Sequence, residues 1–149
     1  LTVSDTRTPE NDRSGQRARS LLEGAGHRVV DYRILPDEPE SIAHCVRGWL
    51  DSEECEGVVI NGGTGIASRD QTYEALSDLL DKRLEGFGEL FRVLSFEQVG
   101  SAAMLSRAVA GIARGKPLFS VPGSPQAVEL ALERLILPEL GHLLAELRR

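Results

Sequence analysis

Three glycines fall within four residues at Gly62-Gly63-Thr64-Gly65, and Arg69-Asp70-Gln71-Thr72 follows closely. With no Cβ in the way, the backbone N–H groups of such a turn can converge on an anion. A cation and a metal-capable carboxylate stand beside this cradle, which together are the parts of a phosphate site. The glycines alone suit an ordinary tight turn equally well. They spell neither the dinucleotide fingerprint nor the P-loop, whose closing Gly-Lys-Ser/Thr is missing. The Arg-Asp-x-Thr that follows is what points to phosphate.

The elements that must position this loop read as alternating strands and helices. Leu1 to Ser4 is the tail of a first strand, ending in Ser4-Asp5-Thr6-Arg7, and Thr8 to Arg13 is a polar loop. From Ser14 a helix carries Ala18, Leu21, Leu22 and Ala25 on one face, stopped by Gly24 and Gly26. Val29 to Leu35 reads as a second strand. Pro36-Asp37-Glu38-Pro39-Glu40 opens a helix with Ile42, Val46 and Trp49 on one side. Gly57 to Asn61, β-branched at its centre, is a buried strand leading into the loop. In an open α/β sheet, ligands bind in the crevice beyond such strand ends.

A helix through Tyr73, Leu76 and Leu80 is expected next, then one from Glu85-Gly86-Phe87-Gly88-Glu89 with Leu90, Val93 and Leu94 inward. Ala108 to Ala113 and Pro117 to Val121 flank Arg114-Gly115-Lys116, which suits a hairpin. Pro122-Gly123-Ser124-Pro125 is a second turn with exposed backbone. A last helix runs through Val128, Leu132, Leu135 and Ile136 and should kink or break at Pro138. This order predicts a three-layer α/β/α sandwich with a mostly parallel sheet and one hairpin in the C-terminal half. No linker, repeat or low-complexity segment divides the 149 residues, so one domain is expected.

Seventeen basic against twenty-three acidic residues give a net charge of −6, which argues against a generic nucleic-acid binder. An anionic substrate then needs local cations, for which Arg7, Arg69 and Arg107 are candidates. Cys45 and Cys55 have no metal or redox spacing and suit a reducing, cytoplasmic compartment. The three histidines form no zinc motif, and no apolar run reaches membrane-span length. Leu1 already lies inside what reads as a strand, which leaves a preceding segment open.

Six motifs in order carry a resemblance. They are Thr2-Val3-Ser4-Asp5, Pro36-Asp37-Glu38, Gly62-Gly63-Thr64-Gly65 with Arg69-Asp70-Gln71-Thr72, Gly86-Phe87-Gly88-Glu89, Leu105-Ser106-Arg107-Ala108 and Pro122-Gly123-Ser124-Pro125. Any one is weak; together they span nearly the whole chain and are specific. The sequence resembles the molybdopterin adenylyltransferases of molybdenum cofactor biosynthesis, the MoaB/Mog family, and looks closer to the MoaB branch.

The resemblance implies transfer of AMP from Mg-ATP to the terminal phosphate of molybdopterin, with release of pyrophosphate. It implies Asp37 and Asp70 as essential aspartates acting on Mg²⁺ and nucleotide, and Gly62, Gly63, Thr64 and Gly65 as the loop lining the cleft. Ser4, Asp5, Arg69 and Glu89 enter as binding residues by the same matches, with Ser106, Arg107, Pro122, Gly123 and Ser124 near the pterin. Asn61 stands where many relatives have threonine. It further implies a homo-oligomer, trimer or hexamer, and the molybdenum insertase as a partner, with no role for nucleic acid or membrane. Members of the MoaB branch without the Arg-Asp pair are thought inactive, and this chain keeps the pair.

Plainer readings stand beside these. Asp37 with Glu40 three residues on has the form of a helix capping box, and Asp70 is placed to cap the helix after it. Ser106 and Arg107 read as a polar helix end, Glu89 as a solvated helix residue, and Pro122-Gly123 as a turn out of an edge strand. A non-catalytic molybdopterin-binding protein of the same fold is the alternative function. The insertase or a CinA-like pyrophosphatase domain is a third reading, disfavoured by the chain's single-domain size and its glycine-loop wording.

Overall fold

The computed structural model describes residues 1–149. The ladder that carries the glycine loop explains the rest. β1 (Thr2–Val3), β2 (Ile34–Leu35), β3 (Val58–Asn61) and β6 (Lys116–Val121) run parallel. β5 (Val109–Ala113) pairs antiparallel with β6, and β4 (Lys82–Arg83) antiparallel with β5. The sheet has six strands in the order β2-β1-β3-β6-β5-β4. The β5–β6 hairpin turns at Arg114-Gly115, both at positive φ (50° and 74°), the geometry that matches strand twist in two-residue hairpins. The mostly parallel three-layer sandwich is therefore present.

Helices cover both faces. α2 (Pro39–Asp51) and α3 (Thr72–Ser77) press Ile42, Val46 and Leu76 onto Val3, Val58 and Ile60. On the other face α1 (Arg13–Gly24), α4 (Glu85–Val99), α5 (Pro125–Ala131) and α6 (Leu137–Leu147) enclose Phe119 and Val121 with Phe91, Val128 and Leu132. The strand ends and the turns after β1, β3 and β6 thus meet at one edge of the sandwich.

Several boundaries differ from expectation for identifiable reasons. α1 starts at Arg13 because Asp12, buried, caps it through Gly15 N–H at 3.0 Å. Gly26, at φ 88°, ends it through His27 N–H to Leu22 C=O, a left-handed glycine stop. The second strand shrinks from Val29–Leu35 to Ile34–Leu35, because β1 supplies ladder partners only to those two residues. α3 stops at Ser77, and Asp81 N–H then bonds Ile112 C=O, drawing the chain into β4 before Leu80 can extend the helix.

Leu90 and Val93 do not face inward; they are 55% and 61% exposed. The buried stripe of α4 is Phe87, Gly88 and Phe91. Phe87 is 5.5 Å from Phe119, ring centre to ring centre. Two adjacent apolar stripes share helical spacing, and only the aromatic contact with the sheet selects between them. Pro138 neither breaks nor ends the C-terminal helix. A π-helical turn at Leu132–Ile136 precedes α6, with Leu137 N–H reaching back to Leu132 C=O, and Pro138 sits in the first turn of α6 where no donor is needed.

Candidate functional site

The glycine loop leaves β3 at Gly62, whose φ is 101° and whose N–H bonds Val121 C=O at 3.0 Å. A Cβ at Gly62 would lie 2.2 Å from the Val3 carbonyl oxygen, so β1, β3 and β6 close on it together. Gly63 is also left-handed, at φ 66°. A Cβ there would lie 1.9 Å from Thr72 Oγ1 and 2.5 Å from Asp37 Oδ2. Gly65 needs no special φ, but its Cβ would meet Asp70 Oδ2 at 2.6 Å. The two carboxylates therefore occupy the space that side chains at 63 and 65 would fill. Gly123, in the turn after β6, lies against the Gly62 backbone, and its carbonyl accepts from Ser14 Oγ.

Neither aspartate caps its own helix. Glu38 is the residue before α2 and Gln71 the residue before α3, and neither end has a side-chain cap. Asp37 is buried and its carboxylate turns to the loop. It accepts from Gln71 N–H at 3.3 Å and from the Thr72 hydroxyl at 3.4 Å. Asp70 closes a local turn, accepting from Ala67 N–H at 3.0 Å. Burial pushes the Asp37 carboxyl up from its ordinary pKa; Gln71 N–H and Thr72 oppose this, while the charges of Asp70 and Asp5 add to it.

The sign of that shift yields a stability test. A carboxyl with a raised folded pKa favours the fold most when neutral, and that contribution is lost as pH rises through the folded value. Above that value the buried charge of Asp37 works against the empty fold. Asp37→Asn should therefore melt at or above the wild-type temperature at neutral pH. The difference should vanish as pH falls toward the ordinary carboxylate pKa of about 3.9. Thermal melts of both proteins across that range check it; an unchanged difference at all pH values would contradict the assignment.

The arginines differ in what they do. Arg69, on the surface, makes a two-point pair with Asp5 (2.8 and 2.9 Å) and reaches Glu38 at 3.3 Å. The Arg69 hydrogen bonds hold the Asp5 carboxyl below its usual range, and Arg69 is shifted up in return. An exposed pair of this kind is screened by water, so a phosphate can take Arg69 from Asp5 at small cost. Arg7 lies nearby, its backbone N–H bonded to Ser4 Oγ. Arg107 is half-buried behind the loop, with its donors on Gly65 C=O, Asp70 C=O and Glu74.

Two cavities of unlike lining open on either side. One, of about 420 Å³, is walled by Gly62 to Gly65, Asp70, Ser106 and the Pro122-Gly123-Ser124 turn. Its only ionisable lining residue is Asp70. The other, of about 750 Å³, takes in Ser4, Asp5, Arg7 and Arg69. Asp37 lines neither cavity but touches residues of both: its N–H bonds Asp5 Oδ1 at 3.2 Å, and its carboxylate abuts Gly63 and Thr72. Glu89 is exposed on α4 and lines neither cavity, nor does Arg107. A third cavity of about 240 Å³ lies behind β1 and takes in none of the predicted site residues.

Sequence reasoning missed Ser95, Gln98 and Gln126, which complete the wall of the first cavity. Ser95 and Gln98 are three apart on α4, a spacing that places them on one face, but nothing local shows which side that face meets. It also missed Asp12, hidden in a polar run. Besides capping α1, Asp12 accepts from Thr2 Oγ1 (2.6 Å) and the Tyr32 hydroxyl. Burial, then the Asp12 hydrogen bond, pushes the Tyr32 phenol up to about 12. Asn61 donates to Thr2 Oγ1 at 3.0 Å, tying this cluster to the base of the glycine loop.

The donor set suits a hard divalent ion held jointly with a substrate. No group of three or more His, Cys, Asp or Glu side chains gathers as an all-protein cage. Mg²⁺ commonly takes one or two carboxylates and completes its octahedron with water and phosphate oxygens. Asp37 and Asp70 are the two carboxylates that stand against the loop, at Gly63 and Gly65.

A family model described as a probable molybdopterin binding domain matches residues 1–142. The molybdenum cofactor biosynthesis protein B of Halalkalibacterium halodurans is 53% identical over 148 residues, covering 99% of this chain and 87% of that protein. A crystal structure of a molybdenum cofactor biosynthesis protein B superposes with a TM-score of 0.97 at 54% identity, over 99% of this chain and 92% of that one. The molybdopterin biosynthesis enzyme MoaB of Thermus thermophilus superposes at 0.87 with 38% identity, over 99% and 92%.

Proposed function

The chain belongs to the molybdopterin-binding domain family of molybdenum cofactor biosynthesis, and we propose that it transfers AMP from Mg-ATP to the terminal phosphate of molybdopterin. The observation that carries this reading is Asp37, buried between Asp5, which lines one cavity, and Gly63, which lines the other. A reaction joining two substrates needs two subsites that converge on one reacting atom.

The cavity lined by the glycine loop, whose one ionisable residue is Asp70, suits the pterin ring, and the arginine-bearing cavity suits the nucleotide phosphates. An oxygen of the pterin's terminal phosphate attacks the α-phosphorus of ATP. The new P–O bond forms as the bond to the bridging oxygen breaks, and pyrophosphate leaves with that electron pair. Such a transfer depends on positioning and charge neutralisation more than on covalent catalysis. Gly63 and its neighbours supply backbone donors where no Cβ intrudes. Arg69, released by Asp5, neutralises a phosphate. Asp37 and Asp70 would hold Mg²⁺, which when bound offsets charge developing on the leaving pyrophosphate.

Incubation with Mg-ATP and molybdopterin tests this. Pyrophosphate and adenylylated pterin should form together and both should stop in excess chelator. Pterin binding without either product would mark a non-catalytic molybdopterin-binding protein instead.

Self-association belongs to the same reading. Leu90, Val93, Phe96 and Val99 on α4, with Met104 and Leu105 beyond it, are all 48% exposed or more. A surface this apolar on two neighbouring elements is what an interface between copies would cover. A trimer or hexamer is expected in light scattering, and Phe96→Glu should shift it toward monomer without lowering the melting temperature of the subunit fold. A wild-type monomer at micromolar concentration would count against it.

A further inference from the structure

Arg107 has the residue type of a phosphate ligand and sits beside a phosphate loop, yet its surroundings assign it other work. Its backbone N–H donates to Thr64 C=O at 3.3 Å. Its Nε donates to Gly65 C=O at 2.9 Å and its Nη2 to Asp70 C=O at 2.7 Å. Nη1 is bonded to Glu74, and the guanidinium lies 5.2 Å from the centre of the Tyr73 ring. Burial alone would raise the Glu74 pKa, but the Arg107 hydrogen bond, a bond from Glu74's own backbone N–H and the Arg107 charge together outweigh it, and the carboxyl ends below its ordinary value. The arginine's charge is thus matched by an ionised partner, its fork is directed at carbonyls, and it lines neither cavity.

Gly65 and Asp70 are the two ends of the arc that carries Ile66, Arg69 and the Asp70 carboxylate. Across that arc the other internal ties are short-range: Ala67 N–H to Asp70 Oδ2, Asp70 N–H to Ala67 C=O, and the Gln71 side chain to Ser68 C=O. The planar fork of one guanidinium spans both ends at once, a geometry that a lysine ammonium, a single point charge, cannot reproduce.

We propose that Arg107 is a positioning residue: by clamping the carbonyls of Gly65 and Asp70 it fixes where the Asp70 carboxylate stands, and it does not bind substrate phosphate itself. The kinetic part of this rests on the adenylyl-transfer reading; the structural part does not. A displacement of about 1 Å in a reacting constellation can cost roughly 10²-fold in rate.

Arg107→Lys keeps the charge and removes the fork. The expected result is a fall in kcat of roughly 10²-fold, with KM for ATP little changed and a higher Mg²⁺ concentration needed for half-maximal rate. Hydrogen exchange should lose protection at the Ala67 and Asp70 amides, while β3 and β6 stay protected. That readout needs no activity, so it holds or fails separately from the reaction. A rise in KM for ATP or molybdopterin with kcat and loop protection unchanged would make Arg107 a substrate ligand and overturn the proposal. Glu74→Gln gives a second measurement should Arg107→Lys not fold. A positioning arginine then loses its outer anchor and kcat falls with KM unchanged. A substrate-binding arginine is freed instead, KM falls, and the proposal is overturned.

Discussion

Asp37→Asn and Asp70→Asn should each fold and melt near the wild type and yet lose adenylyl transfer by roughly a hundred-fold or more. Asparagine keeps an acceptor oxygen in both places. At position 37 it can still take the Gln71 N–H, and at position 70 the Ala67 N–H, the bonds the carboxylates now accept. What it removes is the negative charge that a hard cation requires. At position 37 the change should even favour the empty fold, because the ionised carboxyl there is desolvated and repelled by Asp70. A residue whose neutral isostere stabilises the protein while stopping its chemistry is held for function rather than for stability. Asp37→Ala is the control, since it leaves the Gln71 N–H without its partner at a cost of about 1–3 kcal/mol. Product formation is measured by pyrophosphate release and stability by thermal melting. Near-normal turnover by folded Asp70→Asn would remove that carboxylate from the mechanism.

Gly63→Val should abolish binding of both substrates, with a smaller loss of stability. The position is left-handed at φ 66°, where a β-branched residue costs about 1–3 kcal/mol. Its Cβ would also fall 1.9 Å from Thr72 Oγ1 and 2.5 Å from Asp37 Oδ2, so the loop and the buried aspartate must both move. Gly65→Ala makes the comparison informative. It carries no penalty of backbone conformation, and its Cβ meets only the Asp70 carboxylate, at 2.6 Å. Gly65→Ala should therefore keep more stability than Gly63→Val while still displacing Asp70 and slowing turnover. Titrations with ATP and with molybdopterin measure the loss. Wild-type affinity in Gly63→Val would show that the loop does not form the cradle.

The residues alone determined the alternation of strands and helices, the β5–β6 hairpin and the position of the glycine loop, because each depends on neighbours in sequence. Apolar periodicity, Arg114-Gly115 between two strand-forming runs, and three glycines after a β-branched strand are local signals. The motifs around Asp37, Asp70 and Pro122 were legible for the same reason. Tertiary structure decided how such signals are used. Asp37 sits before a helix in a pattern that suits capping, but its carboxylate goes to Thr72 and Gln71, more than thirty residues away, because α2 and α3 pack side by side on one face. Arg107 has a ligand's chemistry, but the carbonyls of Gly65 and Asp70 reach it first. On α4, two apolar stripes have equal claim in sequence, and the contact between Phe87 and Phe119 determines which one is buried. A side chain's type and spacing fix what it can do. Which partner it meets depends on the packing of elements distant in sequence, and no local pattern encodes that.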